Sequence, residues 1–162
     1  MNFCHKMNIN NIKFKEISSY RAIKEIYSHK KAWSFLLDFI DGSDEIDFDD
    51  DGNLIFICYN GESMDSNYFT NDDVYYWIGG YYEHKLVFLQ LMKRWSENHL
   101  ELVIAQKKKT SDAEDLFGSV VKYIKETYNI KYLSTYPMNE KLKEYYKSKG
   151  FYDWKNELRL DL

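Results

Sequence analysis

The sequence is poor in cysteine and proline. Its 162 residues include two cysteines, Cys4 and Cys58, which form no CxxC pair and are accompanied by no histidine cluster. This usage favours a reducing compartment and predicts no zinc site. The one proline is Pro137, and no Pro-, Gly- or Ser-rich linker divides the chain. We therefore expect a single domain over residues 1–162, large enough to bury a core without disulfides or metal.

Long apolar runs and an excess of positive charge are also missing. The first residues, MNFCHKMNINN, contain no apolar segment typical of a secretory signal, and no run approaches membrane-spanning length. The formal net charge of −4 argues against general electrostatic binding to nucleic acid. We expect a cytoplasmic protein that has neither nucleic acid nor a membrane as partner. The oligomeric state stays open, a homodimer included.

Signatures of several enzyme classes are absent from the sequence. There is no GxSxG nucleophile elbow, no Walker loop and no GxGxxG motif, and the four histidines lack informative neighbours. The pair Gly79–Gly80 lies between strand-like residues, which favours a bulge or turn over a ligand-binding loop.

The segment DFDDDGNLIFIC partly resembles a calcium-binding loop. Asp47, Asp49 and Asp51 fall at positions one, three and five of such a loop, but position twelve is Cys58 instead of a bidentate glutamate. Flanking helices are also missing, because LIFICYN has the composition of a strand. We expect an acidic hairpin turn here and no metal site.

The spacing of apolar residues predicts a β-α unit, then several antiparallel strands, then β-α-β-α-β. Helices are expected at about 19–41, ending at Gly42, and at about 112–128 and 139–149. The expected strands are IKFKEIS, EIDF, NLIFICYN, VYYWIGGYY, KLVFLQLMKRW, HLELVIA, IKYLSTYP and FYDWKNELRLDL. This order predicts an α+β fold, with a mixed, mostly antiparallel sheet and helices on both faces.

The segment NEKLKEYYKSKGF carries the most informative motif. Asn139, Leu142, Tyr146, Gly150 and Phe151 have the spacing N-x-x-L-x-x-x-Y-x-x-x-G-F. The segment resembles the last characteristic stretch of the GCN5-related N-acetyltransferase (GNAT) superfamily, N-x-x-A-x-x-x-Y-x-x-x-G-F. The resemblance is in register from about residue 100 to the end, whereas the first hundred residues agree only in the order of strands and helices. It implies a GNAT-like fold.

The resemblance also implies an activity. GNAT enzymes are acyl-CoA-dependent N-acyltransferases, which in most cases transfer acetyl from acetyl-CoA to an amine within a ternary complex. For this chain the resemblance implies an acceptor amine on a small molecule, peptide or protein. Strands ELVIA and YLSTYP would splay apart, and the pantetheine arm of the donor would pair with them like an extra strand.

The resemblance gives individual residues a role. Asn139 would bond the pantetheine amide, and Tyr146 would protonate the leaving thiolate as general acid. Glu101 is the matching carboxylate for removing a proton from the amine, and backbone N–H groups near Val103 would polarise the thioester carbonyl. Tyr145 points about 100° away from Tyr146 on a helix. The chain has 15 tyrosines, so packing in the core is the alternative role for either one.

The cofactor loop departs from the family pattern Q/R-x-x-G-x-G/A. Gln106 fits the first position, but Lys109 and Ser111 stand where glycines would let backbone N–H groups reach the CoA pyrophosphate. If CoA binds, the loop residues Gln106, Lys109, Thr110 and Ser111 are the ones expected to contact it.

The start of the following helix is acidic. The stretch SDAE fits a capping box that would satisfy the N–H groups that a phosphate would use, and Asp112, Glu114 and Asp115 add negative charge. The lysines at 107–109 either offset this charge by contacting phosphate or form a solvated surface. An alternative function follows: a GNAT-fold protein that has lost its cofactor site and serves as a protein-interaction module, for which its many Tyr and Trp residues are suited.

Overall fold

The computed structural model describes residues 9–57, 69–109 and 115–162. Within these ranges the chain forms nine strands and four α-helices, after a 3-10 turn at Ile9–Asn11. The strands are β1 (Lys13–Ile17), β2 (Ile46–Phe48), β3 (Leu54–Phe56), β4 (Tyr75–Tyr82), β5 (Lys85–Ser96), β6 (His99–Lys107), β7 (Tyr132–Thr135), β8 (Tyr152–Trp154) and β9 (Glu157–Asp161). The helices are α1 (Ser19–Ser28), α2 (Ser34–Ile40), α3 (Phe117–Tyr128) and α4 (Glu140–Ser148).

Seven of these strands form one twisted sheet in the order β1-β4-β5-β6-β7-β9-β8. Every neighbouring pair is antiparallel except β6 and β7, which are parallel because helix α3 carries the chain back between them. Strands β2 and β3 form a separate hairpin. The predicted mixed, mostly antiparallel sheet is therefore confirmed.

The sheet carries a hydrophobic core on each face. On one face α1 and α2 pack against β4, β5 and β6, with Trp33 and Trp77 fully buried. On the other face α3 packs Val120 and Ile124 against the sheet. Each fully buried large apolar side chain contributes roughly 1.5–3 kcal/mol by leaving water. The predicted placement of helices on both faces is thus also confirmed. Among the helices of the described ranges, none has the length and apolar character needed to cross a membrane.

The single long helix predicted for residues 19–41 is wrong. Helix α1 ends at Ser28 and α2 begins at Ser34. The two lysines at 30 and 31 within this break are exposed, whereas Trp33 at its end is buried. The break also frees two backbone groups, the carbonyl of Ala32 and the N–H of Leu36, which both bond to the side chain of Gln106.

Other turns agree better with the sequence-based prediction. The chain takes a positive φ of 80° at Gly42, where the helical region was expected to end. The β4–β5 register shifts between Gly80 and Tyr81, so of the bulge or turn expected at Gly79–Gly80 the structure has a bulge. The final segment is a hairpin of β8 and β9 and not the one strand predicted, because the turn at Lys155 adopts a positive φ of 56°.

The acidic segment before β3 forms a hairpin turn, as predicted. The Asp49 carboxylate accepts hydrogen bonds from the backbone N–H groups of Asp51 and Asn53, at 3.0 and 2.7 Å. These bonds lower the pKa of Asp49, the largest contribution coming from Asn53. Cys58 lies outside the described residues. Within the described ranges, no three His, Cys, Asp or Glu side chains are grouped to hold a metal ion.

Candidate active site

The parallel strands β6 and β7 pair over four residues and then separate. Their ladder runs from His99 opposite Tyr132 to Leu102 opposite Thr135. Strand β6 continues to residue 107, whereas β7 ends at Thr135 and is soon followed by Pro137, which has no N–H for a ladder. Beyond Leu102, β6 therefore has no strand partner on this side within the described chain. The opening expected between strands ELVIA and YLSTYP is present.

A β-bulge lies where the opening begins. On the other side of β6, Leu102 pairs with Met92 and Ile104 pairs with Leu91, so Val103 has no opposite residue on β5. A bulge interrupts the ladder and re-aims the residues that follow it. Leu102 accordingly packs in the core beneath α3, whereas Val103 and Ile104 pack in the core beneath α1 and α2.

The opening passes between the two faces of the sheet. A cavity of about 190 Å³ lies on the side of α3 and α4. A smaller one of about 40 Å³ lies on the side of α2, where Val103, Tyr136 and Phe35 contribute to its wall. The side chains common to both cavities are Ala105, Leu142 and Tyr146. Tyr146 is therefore placed at the junction of the two faces.

Tyr146 is half-buried, with its ring in the core and its hydroxyl at the opening. The ring packs edge-on against Phe151 and Phe117, at centroid distances of 5.2 and 6.2 Å. Burial raises the pKa of the Tyr146 hydroxyl, and a hydrogen bond with the Thr135 side chain only partly offsets this. Thr135 in turn donates to the Leu102 carbonyl at 3.1 Å, on the last rung of the β6–β7 ladder. The hydroxyl thus stays protonated. Packing of the Tyr146 ring in the core is therefore compatible with the general-acid role expected for its hydroxyl.

Tyr145, its neighbour on α4, is directed to a different partner. Its hydroxyl donates to the Asp115 carboxylate at 2.6 Å. The same carboxylate accepts from the Lys149 Nζ at 2.7 Å and from the Phe117 N–H at 3.0 Å. Burial would raise the pKa of Asp115, but these three donors outweigh it and lower the pKa. Asp115 thereby ties the start of α3 to the end of α4.

Glu101 lies on β6 two residues before the bulge and lines neither cavity. Only 8% of its surface is exposed, and it accepts a hydrogen bond from the Trp95 Nε1 at 2.9 Å. Burial raises the pKa of Glu101, while the Trp95 hydrogen bond and the charge of Lys93 oppose the rise and Glu157 adds to it. A carboxylate held this way is a stronger base than an exposed one, as a proton acceptor near neutral pH requires.

The comparisons with known proteins bear on the fold. No protein-family model matches the chain, and no curated protein matches it either. Among solved structures, an acetyltransferase from Thermus thermophilus is similar with a TM-score of 0.62 at 11% identity, covering 96% of this chain and 100% of that one. A GNAT family acetyltransferase from Elizabethkingia anophelis with acetyl-CoA bound is similar with a TM-score of 0.55 at 13% identity, covering 94% and 99%. The chain has the GNAT fold.

A probable acetyltransferase from Staphylococcus epidermidis shows the same likeness, with a TM-score of 0.50 at 16% identity over 93% of this chain and 98% of that one. The GNAT-like architecture inferred from residues 139–151 is thereby confirmed. Within the GNAT fold, the β6–β7 opening is where the resemblance places the pantetheine arm, and the start of α3 is where it places the pyrophosphate.

The six expected cofactor residues fall into three groups. Val103 and Gln106 lie at the cavities, and Thr110 and Ser111 lie outside the described residues. The Gln106 amide is occupied within the chain: its Nε2 donates to the Ala32 carbonyl at 3.1 Å, and its Oε1 accepts from a backbone N–H at 3.0 Å. Gln106 therefore fixes the α1–α2 connection, and its contact with a cofactor stays a prediction.

Two further candidates line neither cavity. Lys109 is exposed, and its backbone N–H donates to the Ala32 carbonyl at 3.0 Å. Asn139 caps α4, because its Oδ1 accepts from the Leu142 N–H at 2.9 Å. Of the lysines at 107–109, Lys108 is placed 3.8 Å from a carboxylate oxygen of Glu25. Cofactor contacts by Lys109 and Asn139 stay predictions.

Gln90 lines the larger cavity, and sequence reasoning did not single it out. The available signal was one polar residue within the apolar run LVFLQLM. Its burial, at 5% exposure, is visible only in the folded chain.

Proposed function

We propose that this protein is an acyl-CoA-dependent N-acyltransferase that uses acetyl-CoA to acetylate an amine on a small molecule or protein. The observation that carries the proposal is the β6–β7 opening, with the hydroxyl of Tyr146 at its junction and the bulge at Val103 beside it. A solved structure of the same fold holds acetyl-CoA, which supports the choice of donor. The buried carboxylate of Glu101 supplies the base that such a transfer needs.

In the proposed reaction each proton has an assigned acceptor. Backbone groups of residues 103–107 pair with the pantetheine arm as a neighbouring strand would. Glu101, directly or through water, takes a proton from the acceptor amine as its nitrogen attacks the thioester carbon. The N–H at the Val103 bulge stabilises the oxyanion. The C–S bond then breaks, and Tyr146 gives its proton to the leaving thiolate.

A second function is favoured by a specific contact. The Asp115 carboxylate already bonds to the Phe117 N–H and the Lys149 ammonium, groups that a pyrophosphate at the start of α3 would use. This arrangement supports a GNAT-fold protein that has lost CoA binding and serves as a protein-interaction module.

A titration of the purified protein with acetyl-CoA, by calorimetry at low salt, separates the two functions. If the protein is an acyltransferase, we expect acetyl-CoA to bind and to raise the melting temperature. The folded state is then stabilised by about 2.7 kcal/mol at an acetyl-CoA concentration of roughly 100 times Kd. No heat and no thermal shift at millimolar acetyl-CoA would leave the interaction module as the better account.

If acetyl-CoA binds, Tyr146→Phe tests the chemistry. Loss of a general acid lowers turnover by about 100-fold or more while leaving acetyl-CoA affinity nearly unchanged. Tyr128→Phe is a matched control, because its hydroxyl donates to Glu16 on β1, away from the opening. Equal losses of stability and activity in Tyr146→Phe would assign this tyrosine to the core alone.

A further inference from the structure

Gln90 is a buried glutamine in a mostly apolar setting, and its side-chain Nε2 has no hydrogen-bond partner among the described residues. It lies on β5 between Ile78 of β4 and Ala105 of β6, and 5% of its surface is exposed. Its side-chain Nε2 is buried and makes no hydrogen bond within the described residues. Native proteins pair nearly all such groups, because an unpaired buried donor is destabilising. Because Gln90 lines a cavity and the described residues offer its Nε2 no acceptor, a bound ligand is the candidate partner.

The Gln90 side chain lines the cavity on the side of α3 and α4. Tyr146 stands in the same wall, and the remaining surface is mostly apolar, including Leu102, Phe117 and Val120. An amide nitrogen is a donor only, so a ligand that satisfies it must present an acceptor oxygen. The apolar lining suits methylene groups on either side of that oxygen.

Gln106 provides an internal comparison. It is the same residue type, it borders the same cavity, and both ends of its amide are bonded within the chain. Gln106 thus has internal partners for both ends of its amide, whereas the described residues provide no partner for the Nε2 of Gln90.

We infer that Gln90 is a binding residue for the acyl donor, and that its Nε2 donates to a carbonyl oxygen of an acyl-pantetheine entering through the β6–β7 opening. The inference rests on the proposed acyltransferase function. The ligand class is a pantetheine thioester, whose chain alternates amide or thioester carbonyls with methylene groups. The described residues of the free protein leave the Gln90 Nε2 unpaired, and the bound thioester supplies its acceptor.

The variant Gln90→Leu gives two effects of opposite sign. Removing an unpaired donor leaves the melting temperature unchanged or higher, whereas the lost ligand bond weakens acetyl-CoA binding by about 3- to 10-fold. Acetyl-pantetheine, which lacks the nucleotide, is the second probe and shows the same loss. Gln106→Leu is the matched control for stability, and it lowers the melting temperature because it breaks two internal bonds.

The outcomes distinguish this inference from the proposed function. If wild-type protein binds neither probe, the acyltransferase proposal fails. If wild-type protein binds and Gln90→Leu binds equally well, only the role of Gln90 is overturned. A melting temperature lowered as in Gln106→Leu would also overturn it, because it would show that the amide is satisfied without ligand, for example by water. Gln90→Met, a closer match in shape, repeats the test if the leucine variant does not fold.

Discussion

Replacing Asp115 with asparagine tests whether the start of α3 can bind a pyrophosphate without the glycines of the family loop. The Asp115 carboxylate accepts from Tyr145, Lys149 and the Phe117 N–H. The phosphates of acetyl-CoA would compete for these donors and would meet a negative charge. Asparagine keeps an acceptor oxygen for the backbone N–H but removes the charge. We expect Asp115→Asn to bind acetyl-CoA more tightly.

The size of the effect follows from exposure and charge. The Asp115 side chain is 44% exposed and that of Lys149 is 34% exposed, so solvent screens their ion pair and its loss lowers stability by roughly 0.5–1 kcal/mol. The melting temperature then falls by about 1–4 °C.

A unit charge roughly 8 Å from a phosphate, at an effective dielectric constant of about 40, contributes about 1 kcal/mol of repulsion. Two phosphate charges give about 2 kcal/mol, or up to about 30-fold in affinity.

Calorimetric titrations at low and high salt measure the effect. The gain in acetyl-CoA affinity shrinks at high salt, because exposed charges are screened, and acetyl-pantetheine shows no gain because it carries no phosphate. Asp153→Asn is the matched control: it breaks an exposed ion pair of 2.7 Å between β8 and Lys147 of α4. Unchanged or weaker acetyl-CoA binding by Asp115→Asn would refute the assignment of the α3 start as the pyrophosphate site.

Two further predictions concern Glu101. Because burial raises its pKa in the folded state, the folded protein favours the protonated form, and stability is lost as pH rises from the unfolded-state pKa through the folded-state pKa. Glu101→Gln should therefore have a higher melting temperature than wild type at pH 8 and the same melting temperature at pH 4, and it should lose turnover. An equal difference in melting temperature at both pH values would contradict this. Trp95→Phe removes the 2.9 Å donor to Glu101, so the acidic limb of the kcat/KM profile should move to higher pH, whereas Trp154→Phe should leave it in place. An unmoved limb in Trp95→Phe would exclude Glu101 as the titrating base.

The order of elements could be predicted because local patterns determine it. Apolar runs identified β4, β5 and β6, and helical spacing identified α3 and α4 near their observed positions. The motif from Asn139 to Phe151 predicted the position of α4 correctly. These features depend on residues that are close together in the chain, so one sequence is enough to predict them.

Features that depend on distant residues could not be predicted. The break between α1 and α2 is stabilised by Gln106, about 70 residues away in the chain. The bulge at Val103 is visible only from the β5–β6 register. Asp115 was expected to add negative charge, but its bonds to Tyr145 and Lys149 required α3 and α4 to be brought together. In each case tertiary contact decides what local pattern leaves open.

The central claim, that the acyl donor lies in the β6–β7 opening, is tested most directly by hydrogen exchange with and without acetyl-CoA. We expect slower exchange for backbone amides at residues 103–107 of β6, whose β7-side ladder ends at Leu102, and no change in the β2–β3 hairpin. Binding of acetyl-CoA without protection of residues 103–107 would contradict it.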